Sequence, residues 1–146
     1  MSNEETSYWP SDFAVKILSP LAILRIQASA LAAQTQQLLE AEVSTTAVPQ
    51  KVSHQLQLIA PALDGERRAV LTVYHATNEP YPVTVEAKMF EPDADNYDPE
   101  QDWRPEASTS QEFKNLVKQV LQSKEVRATV ESLLARSQEV WDSMPA

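Results

Sequence analysis

The dipeptide Asp64-Gly65 constrains the fold of this chain more than any other short stretch, because Asp-Gly favours a two-residue β-hairpin loop. Gly65 is the only glycine, and it lies between two alternating segments, VSHQLQLIA and RAVLTVYHA. A two-residue loop pairs residues whose numbers sum to 129, as for 63 and 66. The resulting pairs are Leu58–Leu71, Leu56–Val73, Gln57–Thr72 and Gln55–Tyr74. This register separates an apolar side from a mostly polar side, so it predicts a hairpin over residues 52–60 and 68–76.

Further strands are predicted on both sides of this hairpin. The segment YPVTVEAKMF, residues 81–90, alternates apolar and polar side chains after the turn TNEP, and it predicts a third antiparallel strand. A shorter alternation at residues 13–17 predicts a fourth, short strand near the N-terminus. Residues 1–12 are expected to form a loose leader, and STTAVPQK, residues 44–51, a polar turn.

The first helix is predicted to begin at Ser19-Pro20. Serine caps free backbone amides, and proline suits the first helical turn. Apolar residues at helical spacing then predict a helix that ends at about residues 40–42.

Two further helices are predicted after the strands. Thr109 and Glu112 form a capping box, and an apolar stripe follows them at helical spacing. The apolar positions after Ser123 lie on a different side of the same helical projection. We therefore predict a break near Ser123, which caps a third helix. The alternative is one long helix that contacts different neighbours along its length.

Together these elements predict an α+β fold in a single domain, residues 1–146. An N-terminal helix precedes a three-stranded antiparallel β-meander, to which the short N-terminal strand would add a fourth. Two C-terminal helices then pack on one face of the sheet, since an antiparallel sheet must bury its apolar side.

Composition excludes several classes of function. The chain has no cysteine, which excludes disulfides, thiolate nucleophiles and thiolate metal sites. One glycine is too few for a phosphate-binding loop, whose backbone must approach its ligand closely. The net charge of −9 repels nucleic-acid phosphates and anionic lipids, so we expect no direct nucleic-acid binding and no membrane association. The acidic N-terminus does not resemble a secretory signal, and a cytoplasmic location is expected.

The segment EPDADNYDPEQDWRPE, residues 91–106, carries seven acidic residues, three prolines and one arginine. A calcium-binding loop needs glycine at its sixth position and an acid at its twelfth, and neither is present when the count starts at Asp93. The composition is typical of a solvated loop, which we place at residues 91–108. The alternative is a docking segment for a basic partner, with Tyr97 and Trp103 as aromatic anchors.

The two histidines are predicted to face each other. The numbers of His54 and His75 sum to 129, which places them opposite one another in the predicted register. Two imidazoles that close could bind a metal ion or titrate as a coupled pair. Glu86 projects from the other face, so a third ligand is hard to find. We expect structural histidines with no metal and no cofactor, and we keep a metal-dependent or hydrolytic enzyme centred on this pair as the alternative.

The polar side of the sheet and the acidic segment are the candidate contact surface. The residues expected to contact a partner are Gln55, Gln57, Tyr74, Thr84, Phe90, Tyr97 and Trp103. Ile59 and Val70 would join Phe90 in an apolar cluster near the hairpin turn. We therefore expect a non-catalytic module that binds another protein, as an adaptor, a secretion-type chaperone or a toxin-neutralising partner. A homo-oligomer formed through an open strand edge and an anionic nucleic-acid mimic that binds a basic protein are further alternatives.

Overall fold

The computed structural model describes Tyr8 and residues 18–144. The helices and strands are α1 (Pro20–Gln34), β1 (Glu40–Val48), β2 (Lys51–Ala60), β3 (Glu66–Ala76), β4 (Val83–Glu86), β5 (Glu106–Ala107), α2 (Ser110–Leu121) and α3 (Lys124–Ser143). The strands form one antiparallel sheet in the order β1-β2-β3-β4-β5. The α+β class, with a meander between one N-terminal and two C-terminal helices, is confirmed. Within the described residues the meander has five strands. The strand predicted at residues 13–17 lies outside those residues, as does most of the predicted leader at 1–12.

Each helix begins where its capping residue predicts. The capping hydrogen bonds run from Ala22 N to Ser19 Oγ (3.1 Å), from Glu112 N to Thr109 Oγ1 (3.1 Å) and from Val126 N to Ser123 Oγ (3.3 Å). The predicted break at Ser123 is confirmed, because α2 and α3 are separate helices. The alternative of one long C-terminal helix is therefore wrong.

The first helix ends earlier than its composition predicts. Gln36 and Gln37 adopt positive φ angles of 49° and 69°, which interrupt the helical hydrogen-bond pattern. Thr35 closes the end of α1, because its hydroxyl donates to Leu31 O at 3.0 Å and accepts from Leu39 N at 3.2 Å. The chain leaves α1 after Gln34 and enters β1 at Glu40.

Strand β1 corrects the polar turn that we predicted at residues 44–51. Only Pro49 and Gln50 form the turn, because Val48 pairs directly with Lys51. Gln50 has a φ of 74°, as the second central position of a type II turn requires. The preceding segment contains β-branched residues, which favour strands over helices and turns. These residues are Val43, Thr45, Thr46 and Val48.

The hairpin between β2 and β3 has a longer loop than Asp64-Gly65 alone predicts. Pro61 has no backbone N–H to offer to the ladder, so β2 ends at Ala60 and residues 61–63 form a 3-10 turn. Asp64 and Gly65 then reverse the chain with φ angles of 58° and 73°. The predicted reversal is present, but five residues form it instead of two.

The longer loop moves the register of β2 against β3 by two residues near the middle of the hairpin. Leu56 pairs with Leu71 and Gln55 pairs with Thr72. A shift of two residues leaves each side chain on its predicted face, so the apolar and polar sides stay separate here. Beyond this point a β-bulge inserts Val70, which is only 9% exposed and belongs to the core. Val70 therefore does not lie on the polar face, where we expected it.

The third predicted strand is shorter than expected. β4 covers only Val83–Glu86, and Lys88–Phe90 form a 3-10 turn. The loop predicted at residues 91–108 contains a further 3-10 turn, at Ala94–Asn96, and ends in β5, which pairs with β4. The end of the acidic segment is thereby joined to the sheet.

The helices cover one face of the sheet, and the core lies between these two layers. Its fully buried side chains come from both layers, and they include Leu24, Val73, Val83, Val85, Phe113 and Leu133. An ion pair on the surface also joins α3 to the hairpin, since Arg136 contacts both carboxylate oxygens of Glu66 at 2.7 and 2.9 Å. None of the helices described has the length and apolar character that crossing a membrane requires.

Candidate functional site

The face of the sheet away from the helices, which we call the open face, carries most of the predicted contact residues. Strand alternation and register place polar side chains along it. These side chains are Glu42, Ser44, Lys51, Ser53, Gln55, Gln57, Arg67, Thr72, Tyr74, Thr84 and Glu86. The open face is therefore a mostly polar surface over four strands, and Ile59 also lies on it, as predicted.

A chain of hydrogen bonds crosses the open face. Gln57 Nε2 donates to Gln55 Oε1 at 2.6 Å, and Gln55 Nε2 donates to Thr72 Oγ1 at 3.2 Å. Arg67 extends the chain, because its Nη1 lies 3.1 Å from Gln57 Oε1 and 3.2 Å from Glu42 Oε2. The two glutamines and Thr72 are half-buried. Their side chains are thus held in one arrangement while they still contact solvent.

Tyr74 lies between two cationic side chains on the open face. Lys51 Nζ is 4.4 Å from the centre of the Tyr74 ring, and Arg104 Cζ is 5.5 Å from it. Both distances are typical of cation–π contacts. Burial raises the pKa of Tyr74, and the carboxylate of Glu86 raises it further, although Arg104 opposes these effects. The phenol therefore stays neutral and can donate a hydrogen bond.

Arg104 attaches the acidic segment, residues 91–106, to the open face. Its guanidinium lies 3.0 and 3.2 Å from the two carboxylate oxygens of Asp102 and 3.6 Å from Glu86. The hydrogen bonds from Arg104 lower the pKa of Asp102. The single arginine of this segment thus connects Asp102 and the end of the segment to Glu86 on β4.

The predicted aromatic anchors lie beside this connection, but Phe90 does not. Tyr97 and Trp103 line a shallow depression with Glu86 and Arg104, and Tyr97 is 59% exposed. Phe90 is partly buried against the core instead. The structure therefore places Gln55, Gln57, Tyr74 and Thr84 on the open face. Tyr97 and Trp103 line the depression at Glu86 and Arg104, which borders Tyr74 through Arg104.

The two histidines meet on the helix-covered face. His54 Nε2 and His75 Nε2 are 3.1 Å apart, and the ring centres are 5.1 Å apart. The contact is diagonal and not direct, because His54 pairs with Val73 and His75 pairs with Val52. The predicted proximity is confirmed, and the predicted register is not.

Hydrogen-bond partners determine the tautomers of the pair. His75 Nδ1 faces two carbonyl oxygens, Ala76 O at 2.7 Å and Glu79 O at 3.1 Å, so it carries a proton. In the neutral ring, His75 Nε2 then accepts from His54 Nε2. His54 Nδ1 in turn accepts from the Thr45 hydroxyl at 2.8 Å. All four ring nitrogens are thus satisfied by groups of the protein itself.

A charge on His54 is disfavoured. Burial lowers the pKa of His54, and the positive charges of His75 and Arg25 lower it further. If both rings carried a charge, two Nε2–H donors would face each other. His54 is therefore neutral at pH 7 and acts as a link between its neighbours on β1 and β3.

No metal site is evident in the described residues. Nowhere among them do three His, Cys, Asp or Glu side chains come together closely enough to hold a metal ion. Glu86 lies on the open face, on the far side of the sheet from the histidines, as the strand alternation predicts.

Several residues of the site were missed by the sequence analysis. Thr45 was assigned to a turn, and the contacts of Lys51, Arg67 and Arg104 join segments that are distant in the sequence. The β-branched pattern before Pro49 was the one signal that could have located Thr45 on a strand.

No protein-family model, curated protein or solved structure matches this chain.

Proposed function

We propose that this protein is a cytoplasmic, non-catalytic protein-binding module that contacts its partner through the open face and the acidic segment. The observation that carries the proposal is the hydrogen-bonded polar surface of the open face, which no described helix covers. Its side chains are already ordered, so binding costs little of the side-chain entropy that ordering an interface normally requires. An adaptor, a secretion-type chaperone or a toxin-neutralising partner would each use such a surface.

The chemistry of this surface indicates what the partner must offer. Tyr74, Tyr97 and Trp103 are the large aromatic side chains that most often anchor an interface. Asp93, Asp95 and the other acids belong to the same segment as Tyr97 and Trp103, and they are exposed. A partner surface with basic residues around an apolar centre would complement both features.

Comparative affinity capture tests the proposal. The wild-type chain and a Tyr74→Ala/Trp103→Ala variant are used to capture proteins from a native lysate, which are then identified by mass spectrometry. The matched control is Gln138→Ala, an exposed position on α3. We expect one stoichiometric protein with the wild type and the control, and its loss with the double variant. Equal capture by all three chains would contradict the proposal.

The histidine pair supports a second candidate, a metal-dependent or hydrolytic enzyme. The supporting observation is the 3.1 Å separation of the two Nε2 atoms. Elemental analysis of the purified protein for zinc tests it, together with a His54→Ala/His75→Ala variant. A binding module without metal keeps its partner affinity in that variant, whereas an enzyme loses its activity while the chain stays folded.

The acidic segment supports a third candidate, an anionic mimic of nucleic acid. In that case the partner is a basic protein whose binding weakens strongly with added salt. The four aspartates of the segment are changed to asparagine together: Asp93, Asp95, Asp98 and Asp102. Binding that fails in this variant but survives Tyr74→Ala favours the mimic, and the opposite result favours the open face.

A further inference from the structure

The outer edge of β1 is a long strand edge that no described strand covers. β1 pairs with β2 over all nine of its residues without a bulge. On its other side, no strand among the described residues pairs with it. β5, at the opposite edge of the sheet, has only two residues. The two edges therefore differ strongly in how much backbone they offer to another chain.

Residues at alternate positions of β1 direct their backbone groups outward. Thr77 N donates to Gln50 O and Gly65 N donates to Ala60 O. The backbone N–H and C=O groups of the even-numbered residues of β2 therefore point toward β3. The odd-numbered residues of β2 consequently bond to β1, and their partners on β1 are even-numbered. The residues of β1 with outward-facing N–H and C=O groups are Ala41, Val43, Thr45 and Ala47.

The sequence of β1 lacks the usual protection of an edge. Natural edge strands are commonly blunted by lysine, proline, a bulge or extreme shortness. The strand EAEVSTTAV has no lysine and no proline, and its only charges are Glu40 and Glu42 at one end. Its last residue, Val48, is 51% exposed. Such an edge is suited to pairing with another strand.

We propose that β1 pairs antiparallel with β1 of a second copy of this chain, with Ser44 on the two-fold axis. This register pairs all nine residues of each strand and lets every outward-facing N–H and C=O find a partner. The dimer would then contain one continuous sheet, with both open faces on the same side. This inference goes beyond the proposed function, because neither depends on the other.

Charge complementarity favours the second copy in this register. Glu40 lies opposite Val48 of the other copy, and Val48 pairs in turn with Lys51. Paired residues share a face of the sheet, so Glu40 lies on the same face as Lys51 of the other copy, two strands away. An in-register parallel arrangement would place Glu40 opposite Glu40 and Glu42 opposite Glu42, which destabilises the pairing. The two-fold arrangement forms the attractive contact twice.

Sedimentation velocity of the full chain over a range of concentrations tests the dimer. In the Ala47→Pro variant an outward N–H is lost, while the ladder to β2 stays intact. The matched control Ala47→Thr keeps the N–H at the same exposed position. We expect a dimer for the wild type and the control, and at least a tenfold weaker dimer for Ala47→Pro with unchanged circular dichroism. A monomeric wild type, or equal dimerisation of both variants, would overturn the proposal.

A charge exchange tests the register independently. Glu40→Lys and Lys51→Glu each place like charges together, and each is expected to weaken the dimer by a few-fold. Combining both substitutions in one chain restores the attraction and hence the dimer. Failure of the double variant to recover would exclude the register centred on Ser44. If deletion of residues 1–17 is needed before any dimer forms, the preceding segment occupies the edge and the proposal fails.

Discussion

The two faces of the sheet use polar side chains in opposite ways. On the helix-covered face, Thr45, His54 and His75 form a closed set in which each ring nitrogen has a partner in the protein. On the open face, Gln55, Gln57 and Thr72 are also bonded together, but they stay half-exposed. On the covered face, the hydrogen bonds of the polar groups are all made within the protein and stabilise the fold. On the open face, the polar groups remain accessible and can form hydrogen bonds with another molecule.

Substitutions at two adjacent residues should show most clearly that the two faces contribute differently to the free energy of unfolding. Leu56 is 2% exposed in the core, and Gln57 follows it on the open face. Leu56→Ala removes buried atoms and leaves a cavity, so it should lower the free energy of unfolding by about 2–5 kcal/mol. Gln57→Ala should lower it by less than about 1 kcal/mol. Urea denaturation measures both values, and similar losses would break the comparison of the two faces.

The pH dependence of stability should arise on the covered face. The pKa of His54 in the folded chain lies below its ordinary value of 6.5. The unfolded chain therefore takes up a proton first as the pH falls, so stability is present above pH 6.5 and is lost between that value and the lower folded pKa. The charged and polar groups around His54 are Arg25 of α1, Thr45 of β1 and His75 of β3.

Urea denaturation from about pH 7.5 to about pH 5.5 checks this effect. His54→Gln removes the titrating group and keeps a polar side chain of similar reach. The variant should lose less stability than the wild type over this interval, because carboxylates contribute equally to both. Parallel pH profiles of the two chains would show that His54 is not the source of the dependence.

The sequence predicted which face each side chain joins better than it predicted which residues pair. The alternation of Leu56 and Gln57 defines the faces through period two alone, so even a register shift of two residues preserved them. The register depended on Pro61, which ends β2 and lengthens the loop. β1 was missed because residues that favour a helix continue from α1 as far as Glu40. Nothing in the local sequence indicates the positive φ angles of Gln36 and Gln37, which end the helix.

The candidate site was predictable where it depends on strand alternation and not where it depends on distant contacts. Gln55, Gln57 and Tyr74 follow from the period of β2 and β3. The position of Arg104 against Tyr74 and Glu86 depends on how the acidic segment returns to the sheet, which no residue spacing specifies. The His54–His75 contact was found through a register that was wrong by two residues, because neighbouring strands bring diagonal side chains close as well.

The smallest expected effect concerns the hydrogen bond between Gln55 and Thr72. A double-mutant cycle with Gln55→Ala and Thr72→Val should give a coupling free energy of about 0.5–1 kcal/mol, since water can replace a bond between half-exposed groups. Urea denaturation of the four chains provides the value, and Thr129→Val on α3 is a control for the loss of a hydroxyl. A coupling free energy of about 2 kcal/mol or more would mean that water cannot replace the Gln55–Thr72 bond, so that the open face resembles the buried Thr45–His54–His75 set. Its polar groups would then stabilise the fold and would not be available to a partner.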